Sequence, residues 1–320
     1  MAPLARLLII FAVISIGAPI AGYLAAPSGG PTELANDTVA TPPLPIVRPV
    51  AATSAARPQV EPEIGWWWNP AEPGRGFLID RSGSQILVGA LAYEADGRAS
   101  WYLSAGDLRC GADFTGVLVA YGGGQTLNGR FRKASLTRDA GQIGIRFHSP
   151  TQATLTLPGT RTVRLERYRL DGTGDAEFEP EAGWWWNPAE PGRGFAVEVR
   201  GGSMLLTAAV YDERGNPVWY VSHGSMNGDR SYRGRWLRLA GGTTVQGSYR
   251  VPADTMDAGA VALRFSDTRQ AVLTLPDGRQ LPISRLDLAA VPGPLALTAG
   301  AQASPDSECL SPVRLASAPQ

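Results

Sequence analysis

Glu72 and Arg75 stand in the loop Asn-Pro-Ala-Glu-Pro-Gly-Arg-Gly, directly after three consecutive tryptophans, Trp66, Trp67 and Trp68. A carboxylate and a guanidinium beside flat aromatic rings are groups that orient a polar ligand over a stacking platform. The arrangement recurs as Trp184, Trp185, Trp186, Glu190 and Arg193. Strand alternation sends Trp66 and Trp68 to one face and Trp67 to the other. An outward tryptophan, with Tyr102 in the first copy and Tyr220 in the second, then offers a face to a sugar or peptide ring. The ligand-binding candidates are thus Trp66, Trp68, Glu72, Arg75, Tyr102, Trp184, Trp186, Glu190, Arg193 and Tyr220. The same residues can instead serve the fold. Tryptophan is bulk core, and a carboxylate can fix a Pro/Gly-rich turn by accepting its N–H groups or pairing with an arginine.

Other chemistries find no footing. A glycosidase needs a second carboxylate at a defined separation from the first, and each copy of the motif carries one. His148 and His223 are the two histidines, and their equivalents are Ser266 and Ala105, so they build no duplicated metal site. No serine sits in a nucleophile-elbow pattern and no glycine-rich strand-to-helix loop could cradle phosphate. Catalytic residues, metals and cofactors are therefore not expected. Zero formal net charge gives no reason to expect nucleic acid as a partner.

The motif belongs to a larger duplication. Gly65 to Phe77 and Gly183 to Phe195 are identical, GWWWNPAEPGRGF, at an offset of 118 (183 − 65). The same offset pairs Tyr93 with Tyr211, Trp101 with Trp219, Pro158 with Pro276 and Arg167 with Arg285. Each copy reads as short strands punctuated by turns. In the second these are Phe195 to Val199, Met204 to Tyr211, Val218 to Ser222, Ser231 to Leu239, Thr244 to Val251, Ala260 to Phe265, Ala271 to Leu275 and Gln280 to Leu288. Asp277-Gly278 marks a tight turn between the last two. No helical stripe intervenes. The expected fold is all-β, a tandem repeat of two antiparallel up-and-down β-barrels of about eight strands, with two β-sandwiches as the alternative.

Val163, Leu165 and Arg167 share one parity in the last strand, as do Leu281, Ile283 and Arg285. An arginine on an apolar face needs a partner, and an aromatic plane from the first strand supplies one. Trp67 with Arg167 and Trp185 with Arg285 are thus expected to plug the barrels. A first-strand Gly-x-Trp packed with a last-strand arginine resembles the lipocalin and avidin-like barrels, over those few residues of each copy. The duplicated stretch is similar to the signature of bacterial exported proteins that carry a G-W-W-N-P-x-E-x-G-x-G-F repeat. That resemblance covers Gly65 to Leu170 and Gly183 to Leu288; it implies an exported β-rich module and brings no activity with it.

Residues 1–26 read as a signal peptide or a membrane anchor, because Leu7 to Ala26 is almost wholly apolar after Arg6. Residues 27–62 form a Pro/Ala-rich linker, 63–171 and 181–289 the two repeats, 172–180 a second linker and 290–320 a disordered tail. The expected location is periplasmic or secreted, with any membrane attachment through residues 7–26 alone. Cys110 and Cys309, the two cysteines, suit an oxidising compartment in which they pair. Together these features point to a non-enzymatic binding module for carbohydrate or another envelope polymer. The alternative is a structural or protein-docking domain.

Overall fold

The computed structural model describes residues 60–170, 172 and 178–290. The export segment, most of the first linker, nearly all of the tail and Cys309 lie outside the described residues.

Each repeat is a closed eight-stranded antiparallel barrel in meander order. The first comprises β1 (Gly65–Trp68), β2 (Gly76–Ser82), β3 (Gln85–Tyr93), β4 (Ala99–Arg109), β5 (Asp113–Gly122), β6 (Ser135–Ser149), β7 (Gln152–Thr156) and β8 (Thr162–Arg167). The second comprises β9 (Gly183–Trp186), β10 (Gly194–Arg200), β11 (Ser203–Tyr211), β12 (Pro217–Asn227), β13 (Ser231–Ala240), β14 (Asp254–Phe265), β15 (Gln270–Thr274) and β16 (Gln280–Arg285). The tryptophan triplets are the closing strands. β1 pairs with β2 on one side and β8 on the other, setting Trp67 opposite Phe77 and Arg167. β9 does the same, with Trp185 opposite Phe195 and Arg285.

Strand burial separates two kinds of wall. β8 alternates strictly, with Val163, Leu165 and Arg167 buried and Thr162, Arg164 and Glu166 exposed, as one solvated face requires. β3 does not alternate: from Ile86 to Tyr93 every residue is buried. Ile86, Val88, Ala90 and Ala92 fill the first barrel, while Leu87, Leu91 and Tyr93 join a cluster dominated by the second. β11 is buried along the same stretch. The barrels thus pack outer wall to outer wall, and strands covered on both faces become continuous apolar runs.

One expected strand is absent. Thr244 to Val251 forms no ladder; it lies in the connection between β13 and β14, with one isolated bridge from Thr244 to Tyr93 of the first barrel. Its backbone finds partners across the junction: the Val245 carbonyl accepts from Arg75 at 2.8 Å and the Gly247 carbonyl from Arg161 at 2.7 Å. Guanidinium groups replace a neighbouring strand there, which local periodicity does not reveal.

Candidate functional site

The motif loop is held by its first residue. Asn69 accepts from the Ala71 N–H through its side chain at 3.0 Å and from the Glu72 N–H through its carbonyl at 3.1 Å. Asn187 repeats both bonds at the same distances. The turn aims Glu72 between two guanidinium groups, Arg75 at 2.8 Å and Arg161 at 2.5 Å. Arg75 is itself buried and donates to Val245 and Gly247 of the other barrel. In the second copy Glu190 pairs with Arg193, which donates to the carbonyls of Leu127 and Gly129. Arg75 and Arg193 thus make barrel-to-barrel bonds, and Glu72 and Glu190 brace them from within their own barrels, at positions expected to orient a ligand. Burial pulls the pKa of Arg75 and Arg193 below the usual arginine range, and the paired glutamates oppose the shift.

The tryptophans divide three ways. Trp67 and Trp185 lie inside their barrels, each donating its indole N–H to a carbonyl four residues upstream, Glu63 and Glu181, at 3.0 Å. Trp66 and Trp184 point outward as alternation predicts, yet they are buried, at 1% and 5% exposure, because the other barrel covers them. Trp66 is therefore no solvent-facing platform. Trp184 passes so close to β3 that any side chain at Gly89 would collide with its ring. Trp68 and Trp186 stay half-buried. Tyr102 faces the interior of the first barrel and donates to Glu94 at 2.7 Å, so it makes no platform with Trp66. Tyr220 is half-buried, with its ring 6.5 Å from Trp236.

The plug arginines are buried as expected, but their main partners differ from the aromatic plane anticipated. Arg167 donates to the carbonyls of Ile64, Trp66 and Tyr168 in its own barrel and to Glu198 in the other. Arg285 donates to Trp184 and Leu286 and, across the junction, to Asp80 at 2.5 Å. Each carboxylate also accepts a backbone N–H from the opposite barrel: Trp66 to Glu198 at 3.2 Å, Trp184 to Asp80 at 2.8 Å. Asp80 and Glu198 occupy equivalent positions (198 − 80 = 118). The junction is thus an isologous contact written within one chain. Burial raises both carboxylates above their ordinary range, and the facing arginine opposes the shift. The opening glycine of each motif is explained here too. Gly65 and Gly183 have positive φ (131° and 123°), and a Cβ would strike the guanidinium and carboxylate stacked on them.

Two further reciprocal bonds come from the paired tryptophans of β4 and β12. Trp101 donates to the Val210 carbonyl at 2.8 Å and Trp219 to the Ala92 carbonyl at 3.0 Å. Their rings meet Tyr211 and Tyr93 edge-on, both at 5.5 Å.

Beside this seam a cleft of about 380 Å³ opens. Leu87, Trp101 and Tyr121 of the first barrel form one wall, and Trp184, Trp186 and Ala209 of the second form the other. Trp101 and Tyr121 stack at 6.3 Å with planes 19° apart. Phe131 and Lys133 stand at the mouth, Phe131 47% exposed. At the equivalent place around Trp68, Tyr168 packs edge-on at 5.6 Å where the cleft has Leu286, and buried Leu91 stands where the cleft has Ala209. In both pairs the cleft carries the smaller residue.

Comparison with known proteins adds no relative. No family model, no curated protein and no solved structure matches the chain.

The site's chemistry therefore rests on its own residues. Aromatic faces, an apolar floor and a single ammonium can hold a ligand by stacking and burial. Among the described residues no group of three or more His, Cys, Asp or Glu side chains could hold a metal ion. Asp80 and Glu198 leave one trace in the sequence. Both are acidic positions on the outward parity of a strand that runs into an almost unbroken apolar segment.

Proposed function

We propose that this chain is an exported, non-enzymatic binding module of the cell envelope whose ligand enters the cleft between the barrels. The cleft itself carries the reading: aromatic walls around a volume in the range of small-ligand sites, with Phe131 exposed at its mouth. The arrangement favours one site built by both repeats over one site per repeat. The ligand presents a compact ring or apolar portion of carbohydrate or another envelope component. Export rests on the apolar run from Leu7 to Ala26. An alkaline phosphatase fusion after residue 60 is then active in bacteria, and an inactive fusion removes the envelope assignment.

Titration of the full chain against a panel of glycans and envelope extracts, read by acrylamide quenching of tryptophan fluorescence, tests the binding reading. A bound ligand shields Trp186 from the quencher, and a Trp186→Ala variant loses that protection. Quenching that no extract alters would sink the proposal. It would favour the structural reading, which draws on the bonds of Arg75 and Arg193 across the barrel junction and their pairing with Glu72 and Glu190.

A further inference from the structure

We infer that the cleft takes a small anionic amphiphile, its apolar body between Trp186 and Trp101 and its carboxylate against Lys133. This rests on the reading that the cleft binds a ligand, and it names the chemistry. Apart from Arg193, whose guanidinium is held by Glu190 and the carbonyls of Leu127 and Gly129, the walls are almost wholly carbon: leucine, alanine and the faces of tryptophan and tyrosine. A sugar buried there would leave hydroxyl groups without partners, each a cost, whereas a hydrocarbon chain or fused ring gains from the burial. At about 380 Å³ the space lies at the small end of ligand sites, which suits one chain or ring system.

Lys133 supplies the polar end. It is the chain's single lysine; the other 28 of 29 basic residues are arginine. It is exposed at the cleft mouth, and among the described residues no carboxylate pairs with it. Its equivalent in the second repeat is Val251, so the ammonium stands at this cleft and an apolar residue takes the equivalent position. Cavity and cation thus coincide in the half of the molecule where Ala209 and Leu286 make room.

Calorimetric titration of the full chain with decanoate and its uncharged analogue decanol provides the test, alongside a glycan panel. Decanoate is expected to bind and to protect Trp186 from quenching. Lys133→Met should weaken decanoate about five-fold, the value of one partly exposed ion pair, and leave decanol unchanged. The pair Ala209→Leu with Leu286→Tyr installs the first repeat's own residues and should abolish both. If that variant fails to fold, Phe131→Glu at the exposed mouth replaces it and should repel decanoate more than decanol. Decanoate binding indifferent to Lys133→Met and Phe131→Glu would overturn the inference. A glycan that protects Trp186 where decanoate does not would overturn it and keep the binding reading; protection by neither overturns both.

Discussion

Arg285 in the last strand of the second barrel donates to Asp80 of the first at 2.5 Å, and Arg167 returns the contact to Glu198. Both pairs are buried. They turn a feature expected to close one barrel into the bond that joins two. Leaving one member of such a pair buried and alone costs about 3–5 kcal/mol. Arg167→Met should therefore destabilise the chain by about that amount in urea unfolding. Adding Glu198→Leu should recover part of the loss, since the uncompensated carboxylate is gone. A single substitution costing under about 0.5 kcal/mol would mean that the pair is solvated.

The isologous junction implies that one repeat is complementary to a copy of itself. Residues 63–171 produced alone expose Leu78, Leu87, Leu91 and Trp101, all buried in the intact chain. Each such side chain gains about 1.5–3 kcal/mol from full burial. The fragment should sediment as a dimer at micromolar concentration, with Arg167 of one copy on Asp80 of the other. A well-folded monomer would contradict this.

Glu72 separates scaffold from site. It bridges Arg75 and Arg161, and it is not among the residues lining the cleft. Glu72→Ala should lower stability by about 1–3 kcal/mol, because it frees buried Arg75 from its carboxylate. Ligand protection of Trp186 should persist. Loss of binding with unchanged stability would return Glu72 to a ligand role.

Tyr102 gives the fold an alkaline limit. Burial, with a hydrogen bond to Glu94 next in weight, pushes its hydroxyl up to about 12 from 10.0. The folded state then holds a proton that the unfolded chain releases. The contribution is complete below pH 10 and is lost as pH rises from 10 to about 12. Wild-type stability should fall more steeply across that window than that of Tyr102→Phe, followed by thermal unfolding at stepped pH. Parallel curves would show that Tyr102 ionises as it does in the unfolded chain.

Cys110 follows β4, and Cys309 lies outside the described residues. Non-reducing peptide mapping of the exported protein should recover the two in one linked pair, closing a loop of roughly 200 residues that stabilises by several kcal/mol in the chain-entropy model. Recovery of both thiols unlinked would end the expectation.

Much of the architecture was legible in the chain. The offset of 118 declared two copies. Strand parity placed Trp67 and Arg167 indoors, and short turns such as Asp277-Gly278 announced a meander that closes as a barrel. These features are local or periodic: a pleat that alternates every residue and a turn that needs positive φ leave marks on neighbouring letters. The tertiary structure decided what covers the outward face. Trp66 was correctly pointed away from its barrel, yet only docking of the second repeat made it core and not platform. The continuous apolar run of β3 carried that information, but a strand buried on both faces does not name its neighbour. Likewise Arg75 looks the same in sequence whether it meets a ligand or the carbonyls of Val245 and Gly247. The partner lies about 170 residues away, as for Arg75 and Val245. The cleft was hidden for the same reason. Its Ala209 and Leu286 answer to Leu91 and Tyr168 of the first repeat, differences that acquire meaning once two walls face each other.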